Sequence, residues 1–208
     1  MPLSYRETIA DTIQILLWEI SESEHELQEG LVLSKTDLER LSKRKNNMHR
    51  KGYLAIRQLL KTLEVQPLTL QYNIKGAPYL IDGRFISITH TKNVAAVALS
   101  SISVGIDLEN YQEKIKKISR HFLHSKESND LKKVTDIQFL TQIWTAKEAL
   151  YKAFRTPGIH FKKQLLIDAF EEGAKEVIGT IFYKKKEHKY TLHFRYFNNS
   201  CLTLATPV

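Results

Sequence analysis

The stretch Gly105–Glu109 reads GIDLE, and its apolar and acidic residues alternate. Such alternation is typical of a half-buried strand with one apolar face and one acidic face. Two residues along a strand span about 6.6 Å, so Asp107 and Glu109 project from one face, close enough to share a cation such as Mg²⁺. Gly105 lies on the same face, where the missing side chain lets a phosphate or a backbone approach. An ordinary solvated strand shows the same alternation and stays the alternative.

A second motif, WTAKEALYK, lies about forty residues downstream at Trp144–Lys152. No Gly or Pro interrupts the chain from Phe139 to Phe154, and apolar residues recur there at helical spacing, which predicts a helix with one buried stripe. Trp144, Glu148 and Lys152 stand four residues apart on another face. This ridge places an acid beside a base. A plain surface ion pair is the alternative, but it leaves the tryptophan unexplained.

Length and composition are those of a globular protein. The 208 residues, 42% hydrophobic and 26% charged, allow one large domain or two small ones. The single cysteine, Cys201, excludes an intramolecular disulfide and a cysteine-based zinc site, and we expect it to be buried. No segment has the length of a transmembrane span and no signal-peptide pattern begins the chain, so we expect a soluble cytoplasmic protein without a membrane partner.

The formal net charge of +8 favours a polyanionic partner. A nucleic-acid-binding module is the first alternative, but we find no zinc-finger spacing, no RNP-like aromatic strand and no helix-turn-helix signature. The basic segment 114–133, which includes Lys132, is suited to docking an acidic helix of a partner protein. A solvated helical connection is the alternative for this segment.

The remaining elements follow from local patterns. We predict, in chain order, a first strand at Thr12–Ile20, a helix opened by a capping box of Ser34 and Asp37, a longer helix from Asn47 that Pro67 stops, paired strands at Arg84–Thr91 and Val94–Ser100, and three final strands at Val177–Tyr183, Tyr190–Tyr196 and Cys201–Ala205.

The GIDLE strand followed by the WTAKEALYK helix resembles the signature of the 4′-phosphopantetheinyl transferase superfamily. In length the chain is similar to the long, surfactin-synthetase-activating type. This resemblance implies an α+β fold that is a pseudo-dimer of two similar halves, each a small antiparallel sheet packed with helices. It implies coenzyme A phosphate-binding elements in residues 1–104 and the metal and acid/base motifs in residues 105–208. No repeat between the halves is visible in the sequence.

The resemblance implies an enzyme that moves the phosphopantetheine arm of coenzyme A onto a serine of an acidic apo acyl or peptidyl carrier protein, releasing 3′,5′-ADP. Asp107, Glu109 and Glu148 are the implied ligands of Mg²⁺, with Mn²⁺ as an alternative ion. Glu148 is also the implied base for the serine, and Lys152 the implied acid or counter-charge for the leaving group. The family type implies a monomer with pseudo-twofold symmetry. Fatty-acid, polyketide and peptide synthesis are not distinguished.

Matching positions extend to the coenzyme A contacts of the family. Arg50, in a His-Arg pair, is an implied phosphate ligand. Lys75 begins KGAPY, which resembles the Gly-Lys-Pro loop of the family with Ala77 in place of its lysine. Thr89 and His90 match a Ser-His-Ser block whose histidine binds a phosphate.

Lys147, the lysine before Glu148, is a further implied phosphate ligand, and the resemblance also counts Asp107 and Lys152 among the coenzyme A contacts. Two departures, Ala77 and an Arg155 where the family often has glycine, raise the alternative of an inactive scaffold that binds carrier proteins. The four intact acid and base positions of the two motifs favour an active enzyme.

Overall fold

We analysed a computed structural model of the chain, which describes residues 3–128 and 133–208, so the predicted basic residue Lys132 lies outside the described part. The chain divides into two compact units, Met1–Ile102 and Ser103–Val208. Both contain helices and antiparallel strands, which confirms the predicted α+β class. Within these described residues, no helix is both long and apolar enough to cross a bilayer.

Unit one is a four-stranded antiparallel sheet with a long helix against it. Its elements are β1 (Leu3–Ile9), β2 (Ile13–Glu19), α1 (Glu24–Gln28), α2 (Lys35–Ser42), α3 (Asn47–Thr62), β3 (Leu70–Tyr72), β4 (Pro78–Leu80), β5 (Phe85–His90) and β6 (Val94–Ser100). The strand order is β1-β2-β6-β5, and β3 and β4 form a separate hairpin. The apolar face of α3 and the inner faces of β2, β5 and β6 form one core.

Local signals placed most of these elements correctly. The capping box of Ser34 and Asp37 begins α2, and β5 pairs with β6 as predicted. The helix α3 ends at Thr62, well before Pro67, because the chain turns at Glu64 with a φ of 54°. The prediction that Pro67 stops this helix is therefore wrong, since the helix ends five residues before the proline.

The strand predicted at Thr12–Ile20 is confirmed as β2, but it is not the first strand. The preceding strand β1 was not predicted, because it lies at the edge of the sheet and its side chains alternate between half-buried and exposed. Ala10 and Asp11, both with positive φ, connect β1 to β2. An edge strand needs only a weak apolar face, so its hydrophobic pattern is faint.

Unit two is a five-stranded antiparallel sheet covered by a helix of 18 residues. Its elements are β7 (Gly105–Asn110), α4 (Lys114–Phe122), α5 (Ile137–Phe154), α6 (Phe161–Gln164), β8 (Leu165–Ile167), β9 (Glu176–Tyr183), β10 (Lys186–Phe197) and β11 (Ser200–Pro207). The strand order is β7-β11-β10-β9-β8. The predicted final three strands are confirmed as β9 to β11, whereas β8 and α6 are too short to give a periodic signal.

The predicted GIDLE strand is β7, and α5 packs directly upon it at Gly105. A Cβ atom added to Gly105 would lie 1.9 Å from the carbonyl oxygen of Ala149 and 2.6 Å from the backbone nitrogen of Ala153. The space left by the glycine is therefore filled by the helix backbone, not by a ligand. The side chain of Ser103 reinforces the contact by donating to the Ala153 carbonyl at 2.7 Å. The end of the chain packs beneath α5, where Cys201 is fully buried as predicted.

We predict that Gly105→Ala destabilises unit two by about 3 kcal/mol or more, because the new methyl group overlaps helix backbone that cannot rotate away. Gly173→Ala is the matched control, since an added Cβ there meets no described atom within 4 Å. It should cost only about 1 kcal/mol for its left-handed backbone. Denaturant unfolding followed by Trp144 fluorescence in a Trp18→Phe background measures both. Equal losses in the two variants would contradict the close approach.

Candidate active site

The packing of α5 on β7 brings three carboxylates together. Asp107 and Glu109 extend from β7, and Glu148 extends from α5. Burial, together with the negative charges of Asp107 and Glu109, raises the pKa of Glu148 to about 7, and the positive charge of Lys152 opposes this shift. The three acids therefore share one electrostatic environment, as the two motifs predicted.

Trp144 belongs to the same cluster through its contact with Glu109. Burial and the charge of Asp107 raise the pKa of Glu109, whereas a hydrogen bond with the Trp144 side chain lowers it. Since an indole has only its N–H to donate, the carboxylate is the acceptor. The tryptophan on the ridge of α5 thus influences the ionisation of a carboxylate on the neighbouring strand.

Lys152 reaches from α5 to β7. Its ammonium lies 2.7 Å from Asp107 Oδ1 and donates to the carbonyl of Ile106 at 3.0 Å. The Asp107 side chain is only 7% exposed, so this ion pair is formed largely out of solvent. Glu148 and Lys152, the acid and the base on the ridge of α5, therefore both interact with charged residues of β7.

The donor set fits a hard divalent cation. In residues 3–128 and 133–208 no three His, Cys, Asp or Glu side chains form a ready-made metal site. Asp107, Glu109 and Glu148 nonetheless offer oxygen donors, and the raised pKa values of Glu109 and Glu148 reflect their burial and the negative charge of Asp107 near both. A cation among them would relieve that repulsion, and oxygen donors are what Mg²⁺ prefers.

In unit one the structure brings His90 to the helix α3. His90 ends β5 and is exposed, and its ring centroid lies 6.4 Å from that of His49. A Cβ atom on Gly52 would come within 2.6 Å of the His90 ring, so the glycine makes room for the imidazole. Thr89 is 7% exposed and, by the alternation of a strand, projects to the opposite face from His90. The predicted pair of Thr89 and His90 therefore does not share a surface.

Arg50, also on α3, already holds a carboxylate. Its guanidinium forms a two-pronged ion pair with Glu24, with Nε 2.7 Å from Oε2, and donates to the Leu41 carbonyl at 2.9 Å. Hydrogen bonding to Arg50 lowers the pKa of Glu24. About a quarter of each side chain stays exposed. An anion that binds Arg50 must displace or share Glu24.

Lys75 lies exposed in the turn between β3 and β4. The side-chain oxygen of Asn73 accepts the backbone N–H groups of Lys75 and Ala77, at 2.9 and 3.0 Å, and fixes the turn. Gly76 supplies the positive φ that the turn requires. The Lys75 ammonium is thus presented to solvent on an ordered turn.

The structure contradicts the assignment of Lys147 to a coenzyme A phosphate. Its side chain is fully buried, and its ammonium lies 2.7 Å from Glu127 Oε2 while donating to the carbonyls of Phe122 and Leu165 at 2.6 and 3.0 Å. Three acceptors use all three ammonium protons, so none is left for a phosphate. Burial lowers the pKa of Lys147, and Glu127 opposes that shift. The sequence analysis missed Glu127, which lies twenty residues before its partner.

Comparison with known proteins agrees with the geometry. A family model described as the 4′-phosphopantetheinyl transferase superfamily matches residues 103–205, a range that contains both motifs. A curated relative, 4′-phosphopantetheinyl transferase Gsp of Aneurinibacillus migulanus, is 25% identical over 167 residues, which cover 76% of this chain and 68% of the relative. Both matches are to the 4′-phosphopantetheinyl transferase superfamily, and the range matched by the family model contains β7 and α5.

We predict that Glu148→Gln stabilises the metal-free protein at pH 8 but not at pH 5. The folded protein binds the Glu148 proton more tightly than the unfolded chain, so this acid reduces stability as the pH rises from its ordinary value of 4.5 to about 7. The gain at pH 8 should be about 2 kcal/mol. Denaturant unfolding in EDTA at both pH values measures it.

The exposed Glu187→Gln is the control for this measurement, and its effect should be the same at both pH values. Parallel pH profiles for Glu148→Gln and the wild type would contradict the raised pKa of Glu148.

Proposed function

We propose that this protein is a 4′-phosphopantetheinyl transferase, which transfers the 4′-phosphopantetheine group of coenzyme A to a serine of an apo acyl or peptidyl carrier protein in a Mg²⁺-dependent reaction. One observation carries the proposal: where α5 packs on β7, Asp107, Glu109 and Lys152 lie near enough to Glu148 for their charges to shift its pKa. Residues 105–208 supply the metal and acid/base groups, and residues 1–104 supply contacts to the phosphates of coenzyme A.

Asp107, Glu109 and Glu148 would hold the metal ion, Mg²⁺ or alternatively Mn²⁺, directly or through water. When bound, the ion offsets negative charge on the phosphoryl group that is transferred. Lys152 contributes a second positive charge, because its ammonium is held by Asp107 and the Ile106 carbonyl at the same edge of β7.

Glu148 accepts the serine proton, directly or through a water molecule. In the metal-free protein the pKa of about 7 places Glu148 well above an ordinary carboxyl group in basicity, which suits a residue that takes a proton at neutral pH. The serine oxygen forms a bond to the β-phosphorus, and the bond from that phosphorus to the oxygen of 3′,5′-ADP breaks. Lys152 stabilises the charge on the departing oxygen or protonates it.

In unit one, Arg50, Lys75 and His90 bind phosphate groups of coenzyme A. His90 and Lys75 are exposed, and the Arg50 guanidinium exchanges Glu24 for a phosphate. Arginine suits this exchange because its planar fork engages the two oxygens of a carboxylate or of a phosphate in the same way. Thr89 stays a weaker candidate contact, since it is buried on the other face of β5.

The carrier protein docks on the basic face of α4. Lys116, Lys117 and Arg120 are exposed there, and Ile118 adds an apolar contact that is 39% exposed. Such a face complements an acidic amphipathic helix. The enzyme is proposed to act as a monomer.

The proposal is tested by the intact mass of an apo acyl carrier protein after incubation with the enzyme, coenzyme A and Mg²⁺. A gain of one phosphopantetheine group that EDTA prevents is the expected result. Asp107→Ala should abolish the gain, and Glu148→Gln should lower kcat by about 100-fold or more. The exposed Glu187→Gln should leave both unchanged. A folded wild-type protein that modifies none of several acyl and peptidyl carriers would refute the transfer and leave a scaffold or a nucleic-acid-binding module.

We predict that Arg50→Ala raises the KM for coenzyme A by about 10-fold with a smaller change in kcat, because a charge-assisted hydrogen bond to the substrate is lost. Arg84→Ala is the matched control, since Arg84 is another arginine of unit one that pairs with a carboxylate, Asp82. Initial rates at varied coenzyme A concentration measure both variants. An equal rise of KM in the two variants would mean that losing any one positive charge weakens coenzyme A binding, and it would contradict a direct contact of Arg50 with the substrate.

A further inference from the structure

We infer that the buried pair of Lys147 and Glu127 is a positioning device, which holds Trp144 in place on α5 one helical turn before Glu148 and so sets the geometry of the carboxylate site. Lys147 thereby acquires a role that differs from phosphate binding. The catalytic consequence rests on the proposed function, whereas the positioning itself is measurable without catalysis.

The pair joins three elements of unit two in its interior. Its two side chains are 0% and 2% exposed. Besides the Lys147 ammonium, the Glu127 carboxylate accepts the backbone N–H of His124 at 2.7 Å and that of Ile167 at 2.9 Å. Lys147 lies on α5, Ile167 on β8 and His124 just after α4, so one ion pair fixes the spacing of all three elements.

The carbonyls around the Lys147 ammonium belong to the residues that enclose Trp144. Lys147 donates to the Phe122 carbonyl at 2.6 Å and approaches the Phe161 carbonyl at 3.4 Å. The rings of these two phenylalanines pack against the Trp144 ring, with centroids 5.1 and 5.7 Å away. The lysine therefore holds the backbone of the Phe122 wall of the tryptophan pocket, and its ammonium also lies near the backbone of the Phe161 wall.

Trp144 stands one helical turn before Glu148 on the ridge of α5, so the two side chains are neighbours on the helix surface. The Trp144 side chain also lowers the pKa of Glu109, which burial and Asp107 raise. A shift of the Phe122 or Phe161 backbone would move the indole relative to these two carboxylates. The buried pair thus reaches the carboxylate site through the pocket of Trp144.

Stability alone gives little reason for the pair. Removing an ammonium and a carboxylate from water is costly, and an apolar pair of similar volume is often as stable or more stable. What an apolar pair lacks is directed hydrogen bonding to carbonyl and N–H groups. Lys147 and Glu127 use this bonding to hold the Phe122, His124 and Ile167 backbones in place.

The test uses Lys147→Met in a Trp18→Phe background, where Trp144 is the single remaining tryptophan. Methionine has a similar length without the ammonium. We expect the Trp144 emission to shift to the red and its quenching by acrylamide to increase. The Mg²⁺ concentration for half-maximal change of Trp144 fluorescence, with coenzyme A present, should rise by about 10-fold, as for other residues that orient metal ligands.

Leu192→Ala is the control, because Leu192 is a fully buried residue of β10 whose truncation also destabilises unit two. It should leave the Trp144 spectrum and the Mg²⁺ dependence unchanged. If Lys147→Met does not fold, Glu127→Gln, which keeps the side-chain length and removes the charge, takes its place with the same expectations.

A folded Lys147→Met or Glu127→Gln protein with unchanged emission, quenching and Mg²⁺ dependence would overturn the inference and leave the pair as a stabilising contact only. Failure of the proposed function is distinguished by the wild type, which would then modify no carrier protein while the emission and quenching of Trp144 still report its position.

Discussion

The candidate site depends on one steric constraint, the lack of a side chain at Gly105. Because nothing projects there, the α5 backbone at Ala149 and Ala153 lies against the β7 backbone. The short distance allows Glu148 on the helix to share an electrostatic environment with the strand carboxylates, and it allows Lys152 to reach Asp107. A wider separation of helix and strand would leave each motif as an ordinary polar surface.

Features that depend on local spacing could be predicted from the sequence. The period of two in GIDLE and the period near four in WTAKEALYK fixed which side chains share a face, and the capping box at Ser34 fixed the start of a helix. The resemblance to the superfamily then linked the two motifs. The two motifs are adjacent in space because α5 packs on β7, and Gly105 was the one residue in the sequence that indicated this packing. The sequence left open whether a backbone or a phosphate would approach the glycine.

Features that depend on distant partners could not be predicted. Lys147 stands beside Glu148 in the sequence, and we predicted an accessible lysine that binds phosphate. The helix instead turns this side chain into the core, where it pairs with Glu127. Arg50 was correctly placed at the start of a helix, while its partner Glu24 lies in the short helix α1. The strand β1 was missed because an edge strand carries little apolar signal. For Lys147 and Arg50 the deciding contact spans more residues than a periodic pattern can detect.

The ion pair of Arg50 and Glu24 has a consequence for discrimination among anions. Glu24 carries a single negative charge and already uses both prongs of the guanidinium. A monoanion that replaces Glu24 has about the same electrostatic attraction to the Arg50 guanidinium as Glu24 has. A phosphomonoester with two negative charges is attracted more strongly. In the proposed role of Arg50, Glu24 would therefore act as an internal competitor that favours a doubly charged phosphate ester over a singly charged carboxylate.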